Sequence, residues 1–275
     1  MTKPYSSCDE NRLQLAQEAQ QNFERARELV RTEDHAGALE CYLFAFDNSL
    51  AVDGWGGVRL SYIPGEIAML GEKYPPAKTA LELRRNAREE LIRGGETNFD
   101  VVAEWLSLNA YLNEKDRELA LMNELQDSGR LDESLREEII DSNFDRLLAQ
   151  KRYEIPCEYL DDFGNNFMFQ IFHYEEAALF PGKRRKNASG SMTDYLKIRI
   201  ADEGAKVFEL ALGAKKELQA DEIAKRIFLH CNNAHAYSKL IDAATRAGHK
   251  NKARKLLQQA KANLAKDEYE KIEKA

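Results

Sequence analysis

The stretch LAQEAQQNFERARELVRTEDHAGALECYLFAFDNSL, residues 15–50, decides the fold class. Leu15, Ala19, Phe23, Ala26 and Val30 recur every third or fourth residue, which draws one apolar stripe along a helix. The polar run Thr32-Glu33-Asp34 ends that helix in a turn. Beyond it Ala38, Tyr42 and Ala45 lie beside a second stripe of Leu39, Leu43, Phe46 and Leu50, so this second helix needs cover over a wide face. Two helices joined by so short a turn pack as an antiparallel hairpin, and one hairpin leaves apolar surface bare. More helices must follow.

They do follow, in a looser rhythm. Residues 54–70 carry Val58, Leu60, Ile63, Ile67 and Leu70, with Pro64-Gly65 marking either a helix start or a kink. Pro75-Pro76 open a helix whose Ala80, Leu83, Ala87 and Leu91 share a face and which Gly94-Gly95 end. Phe99, Val102, Ala103 and Leu106 form the next, Asn113 to Asp116 a turn, and Leu119, Met122 and Leu125 its partner before Gly129. Residues 131–150, with Leu135, Ile139, Ile140, Phe144, Leu147 and Leu148, read as one helix reaching Arg152. The last third repeats the theme with Leu196, Ile200, Ala201, Ala205, Phe208 and Leu212, then Ile223, Ala224, Ile227 and Phe228. Asn233 caps a further helix that Gly248 ends, its mate carries Ala253, Leu256, Leu257 and Ala260, and a short polar helix over 267–274 closes the array.

Small residues at Ala26, Ala38 and Ala45 beside large ones at Phe23 and Tyr42 resemble the tetratricopeptide repeat, a helical hairpin of roughly 34 residues in which bulky side chains meet small ones where the helices cross. Gly57-Val58-Arg59 and Tyr74-Pro75-Pro76-Ala77 are similar to stretches of bacterial proteins of this repeat type, a likeness that implies no activity. The resemblance implies an all-α fold, an α-α superhelix of six or seven stacked antiparallel hairpins, divided into a repeat region over 1–180, a basic loop over 181–193 and C-terminal hairpins over 194–275. It implies a scaffold or adaptor that holds a partner protein or peptide on its concave face, where the matching positions are Gln20, Phe23, Arg27, Val30 and Arg31. Chaperone-binding members of the family carry Lys and Asn where Phe23 and Arg27 stand, so their carboxylate clamp is not implied.

Composition fits this reading. The 275 residues hold only 6 Pro and 15 Gly and are rich in helix formers. No run approaches the roughly 20 apolar residues that cross a bilayer, and the first thirty residues do not read as a signal segment, so a cytoplasmic protein is expected. Cys8, Cys41, Cys157 and Cys231 are scattered, which suggests reduced thiols and neither a disulfide framework nor a zinc knuckle. The net charge is −7, yet residues 245–275 hold nine Lys or Arg against four Asp or Glu, leaving −12 on the remainder. An acidic body offers no continuous basic footprint for nucleic acid.

Three other features stand out. Residues 153–180 concentrate Tyr153, Tyr159, Phe163, Phe167, Phe169, Phe172, Tyr174 and Phe180, which core packing explains better than an open groove. Lys183, Arg184, Arg185 and Lys186 form a basic run in an aperiodic loop. An RNA-binding repeat protein would use that run together with the basic C-terminal hairpin. His173, between aromatics, reads as a hydrogen-bonded core residue; His230, Cys231 and His235 would share a metal only if one helix ran through Asn232-Asn233. An enzyme would centre on His173 or His230, but no zinc, di-iron, phosphate-loop or nucleophile-elbow motif is present, and no catalytic residue, metal or cofactor is expected.

Overall fold

Asp34 shows how the first hairpin is made. Its side chain accepts the Gly37 N–H at 3.0 Å, capping the second helix directly after the first has ended at Arg31. A computed structural model describes residues 7–179 and 192–273, and all regular structure among these residues is helical. There are 14 α-helices and no strand among the described residues. None of these helices is long and apolar enough to cross a membrane. The chain forms two compact units, Met1–Ser142 and Asn143–Ala275. The basic loop expected over 181–193, with Lys183, Arg184, Arg185 and Lys186, lies outside the described residues except for its last two positions.

Unit 1 holds α1 (Ser7–Arg31), α2 (His35–Asn48), α3 (Ile63–Lys73), α4 (Pro75–Arg93), α5 (Phe99–Leu112), α6 (Asp116–Asp127) and α7 (Glu133–Ser142). Successive helices pack on one another, and α3 also meets α5. The small residues expected at the first crossing, Ala26, Ala38 and Ala45, are fully buried against Phe23 and Tyr42. Ahead of α3 the backbone takes a π turn over Val58–Tyr62 that runs straight into the helix, so Pro64 sits in its first turn and starts it rather than kinking it.

Two expectations fail in instructive ways. The face of α4 formed by Leu83, Ala87 and Leu91 is turned outward, with Leu83 64% exposed. The buried face is Ala77, Ala80, Leu81, Arg85, Glu89 and Ile92. Charged residues occupy interior positions there because each finds partners. The expected single helix over 131–150 is two, α7 and α8 (Phe144–Ala149), and the boundary between the units falls at the break.

The partners of those interior charges form a polar spine in unit 1. Glu104 on α5 accepts from Arg59 Nε at 2.6 Å and from Arg88, while Arg59 also donates to Asp100 at 3.0 Å. Glu89 accepts from Trp105 Nε1 at 3.2 Å and Arg117 Nη2 at 2.9 Å, with Arg93 at 2.7 Å. Arg85 bonds Asn109 at 3.2 Å and Glu114 at 2.6 Å. Burial by itself pushes the Glu89 carboxyl up, but the Trp105 and Arg117 hydrogen bonds and the charges of Arg117 and Arg93 outweigh it and hold the group below its ordinary value.

A carboxyl depressed in the folded state binds protons more weakly than in the unfolded chain, so its stabilisation is complete above the unfolded carboxyl's value, about 4.3, and is lost as pH falls through the folded one. Glu89→Gln is therefore expected to be less stable than wild type at pH 7, with the gap narrowing as the acid limb is descended. Urea midpoints measured from neutral pH downward check this; parallel curves would contradict it.

Unit 2 holds α8, α9 (Leu160–Leu179), α10 (Met192–Gly213), α11 (Glu217–His230), α12 (Ala234–Arg246), α13 (Lys250–Asn263) and α14 (Lys266–Glu273). Helix α10 is its axis, packed by α9, α11 and α12. Close approach depends on glycines. A Cβ on Gly204 would stand 2.7 Å from Phe167 and Ile227, and one on Gly213 would stand 2.2 Å from the Tyr153 ring. Tyr153 and Arg246 in turn bond Glu209, 1% exposed, at 3.1 and 2.7 Å. As expected, Asn233 caps α12, accepting from Ala236 N–H at 3.0 Å, and Gly248 follows that helix at φ 83°.

Candidate functional site

Helix α3 buries Ile63, Ile67 and Leu70 toward the core of unit 1. The helical repeat then turns Tyr62, Met69 and Glu72 the other way, with Tyr62 and Met69 each 61% exposed, while Glu66 lies between the two faces and is only partly exposed. Glu66, Met69 and Glu72 form a crest with a cavity on each flank. On the α1 side a cavity of about 450 Å³ is lined by Arg27, Val30, Arg31, His35, Tyr42, Leu70 and Lys73 together with the crest. On the α5 side one of about 590 Å³ is lined by Ser61, Tyr62, Gly65, Ala68, Lys78, Leu81, Tyr111, Leu112 and Asn113, again with the crest.

The first cavity has a rigid wall and loose cations. Glu66 accepts from Arg27 Nε at 2.9 Å and from the Tyr42 hydroxyl at 2.5 Å, and the Arg27 guanidinium lies 4.2 Å above the Phe23 ring. The hydrogen bond to Glu66 raises the Arg27 pKa, while burial first and the Glu66 bond second raise that of Tyr42, so the guanidinium stays charged and the phenol neutral. Arg31 and Lys73 are exposed on the rim with no ion pair among the described residues. His35 Nδ1 is buried with no hydrogen-bond partner there. The second cavity sets the apolar and aromatic walls of Leu81, Leu112, Tyr62 and Tyr111 beside the polar side chains of Ser61, Lys78 and Asn113.

Of the five positions that the repeat resemblance places on a binding face, the structure brings Arg27, Val30 and Arg31 to the first cavity. Phe23 is 5% exposed and packs in the core against Tyr42 and Trp55, and Gln20 is exposed but lines neither cavity. Sequence reading missed the α3 crest altogether. Its signal was present in Tyr62, Met69 and Glu72, which helical spacing sets away from Ile63 and Ile67, with Glu66 on the flank between them.

The other candidates separate. The aromatic run over 153–180 was expected to pack inward, yet only part does. Phe163, Phe167 and Ile171, four residues apart, are buried, whereas Phe169 and Phe172 face away and are more than half exposed. Phe180 lies outside the described residues. His173 shares that outward face, edge-on to Phe169 at 4.3 Å and 3.8 Å from Glu176, and is not the buried core residue expected. His230 ends α11 beside Glu175 at 3.6 Å, while His235 on α12 bonds Asp202 at 2.9 Å. The helix does break between them, and no group of three or more His, Cys, Asp or Glu that could hold a metal occurs among the described residues. Cys41 and Cys231 are buried free thiols. The chain matches no family model, no curated protein and no solved structure, which leaves the geometry of the two grooves beside α3 as the ground for assigning it a role.

Proposed function

We propose that the chain is a helical scaffold that holds a segment of a partner protein across α3, and that its hairpins form a tetratricopeptide-like array. The observation that carries the reading is the pair of adjoining cavities sharing one exposed crest, with two large side chains, Tyr62 and Met69, left in solvent. Exposed Tyr and Met at the edge of a preformed groove are side chains suited to anchoring a partner. The groove is stiff because its walls are helices tied by half-buried pairs such as Arg27–Glu66, so little ordering cost falls on the receptor when it binds. Consecutive antiparallel hairpins, with Ala26, Ala38 and Ala45 at the first crossing, support the repeat reading.

Retention of partner protein from a cell extract is expected to fall about tenfold or more in the Tyr62→Ala, Met69→Ala double variant, the loss typical of removing an interface anchor. Both side chains are exposed, so the helical circular dichroism should not change. Equal retention by the variant and the wild type, measured by quantitative mass spectrometry, would place any partner elsewhere.

A further inference from the structure

Unit 2 has a cavity of its own, about 320 Å³, between α11 and α13. Buried Ala224 and Leu256 and half-buried Phe228 give it an apolar floor. The Phe228 ring rests on Tyr237 of α12, centroid to centroid 4.4 Å, and Asn263 Nδ2 donates to the Tyr237 hydroxyl at 2.9 Å. The floor is therefore set before any ligand arrives.

Three ammonium groups face this cavity, from Lys225, Lys252 and Lys255, against the single carboxylate of Asp221. The cavities beside α3 are closer to balance, with three cationic side chains against two carboxylates in one and one against two in the other. Asp221 pairs with Lys252 and so ties α11 to α13. Glu222 reaches Lys225 only at 4.0 Å and is held more closely by Arg226 at 3.2 Å, while Glu217 stands 3.8 Å from His249. Lys255 is exposed and has no ion pair among the described residues. Helix α13 adds Lys250, Arg254 and Lys261 and contains no Asp or Glu. Lys225 and Lys255 thus stand over an apolar floor without a close carboxylate.

We infer that this cavity binds a phosphate monoester carried on a small apolar or aromatic body. Such an ester holds about −1.5 to −2 charges at pH 7, which matches the two lysines that lack a close partner. A carboxylate ligand would leave one of them uncompensated. Lysines meet the phosphate as point charges on flexible stems, so the rim can adapt while the floor stays fixed. The volume lies at the small end of the range for ligand pockets, about 300–1,000 Å³, which limits the body to about one or two rings. The site is separate from the groove across α3 and does not depend on the scaffold reading.

The probe is naphthyl phosphate, titrated by calorimetry into the intact chain beside naphthol, which has the body without the charge, and inorganic phosphate, which has the charge without the body. At low salt the ester is expected to bind about tenfold or more tightly than either. Lys225→Glu with Lys255→Glu should abolish ester binding and leave the helical circular dichroism unchanged, because both side chains are exposed and neither belongs to the Asp221–Lys252 tie. Lys225→Arg with Lys255→Arg should keep it. A short peptide with one phosphotyrosine among glycines distinguishes the sources: tighter binding than the naphthyl ester assigns the ligand to a phosphorylated side chain of a partner, weaker binding to a free small molecule, and either supports the site. Equal affinity for the ester and naphthol, or for the ester and inorganic phosphate, overturns the inference. So does an ester that fails to bind, or one whose binding survives the charge reversal.

Discussion

Glu104→Ala is expected to destabilise unit 1 by about 3–5 kcal/mol, the cost of removing one partner from a buried ion pair. Arg59, 4% exposed, would keep only Asp100 at 3.0 Å, a carboxylate that is itself half exposed. Arg88 would lose its acceptor as well. A guanidinium cannot escape this by releasing its proton, so it must either stay buried with a weak partner or drag the π turn toward solvent. That turn leads directly into α3, and Ser107 holds it by a hydrogen bond to the Leu60 carbonyl at 2.5 Å. The loss is thus felt at the groove as well as in the core.

The measurement is urea unfolding followed by tryptophan emission, since Trp55 and Trp105 both belong to unit 1. Glu104→Gln, which keeps the shape and one acceptor oxygen, should cost less than Glu104→Ala. Adding Arg59→Met to the Glu104→Ala change should recover part of the loss, because an apolar pair of similar bulk leaves no charge stranded. A loss below about 1 kcal/mol for Glu104→Ala would mean that water reaches this spine and that its charges are solvated.

The same spine explains what sequence reading could and could not see. Hairpins such as α1–α2 were legible because Phe23, Ala26, Ala38 and Tyr42 announce their buried faces by apolar spacing alone. On α4 the rule inverts. Arg85 and Glu89 occupy the interior because Asn109, Glu114, Trp105 and Arg117 from other helices complete them, and no spacing within α4 records those partners. The break at residue 143 was hidden for a related reason: Ile139, Ile140, Leu147 and Leu148 are all buried, so the apolar pattern carries on through a point where the chain passes from one unit to the other. The site shows the opposite failure. Arg27, Val30 and Arg31 were reachable through the repeat resemblance, but the crest became visible only when Met69 and Tyr62 proved to face solvent on a helix whose other side is core.

Phe208→Ala is expected to cost unit 2 about 4–5 kcal/mol, the upper end of the range for emptying a core aromatic site. The reason lies in its neighbours. Phe208 is fully buried on α10, and of its neighbours on that face Gly204, Ala205 and Ala211 are too short to swing into the space left behind, while Leu212 is itself fully buried and would leave another void by moving. The glycine at 204 already brings Phe167 and Ile227 against the α10 backbone, so closing the cavity would require whole helices to move rather than side chains to turn. Phe208→Leu, which leaves a smaller void, should cost about 1–2 kcal/mol. Tryptophan emission is blind to unit 2, so the readout is amide hydrogen exchange of α9 to α12, where protection in the Ala variant should fall by about three orders of magnitude if the unit opens as one. A loss near that of Phe208→Leu would instead show that α10 can slide between its neighbours, and the glycines at 204 and 213 would then mark a yielding contact rather than a locked one.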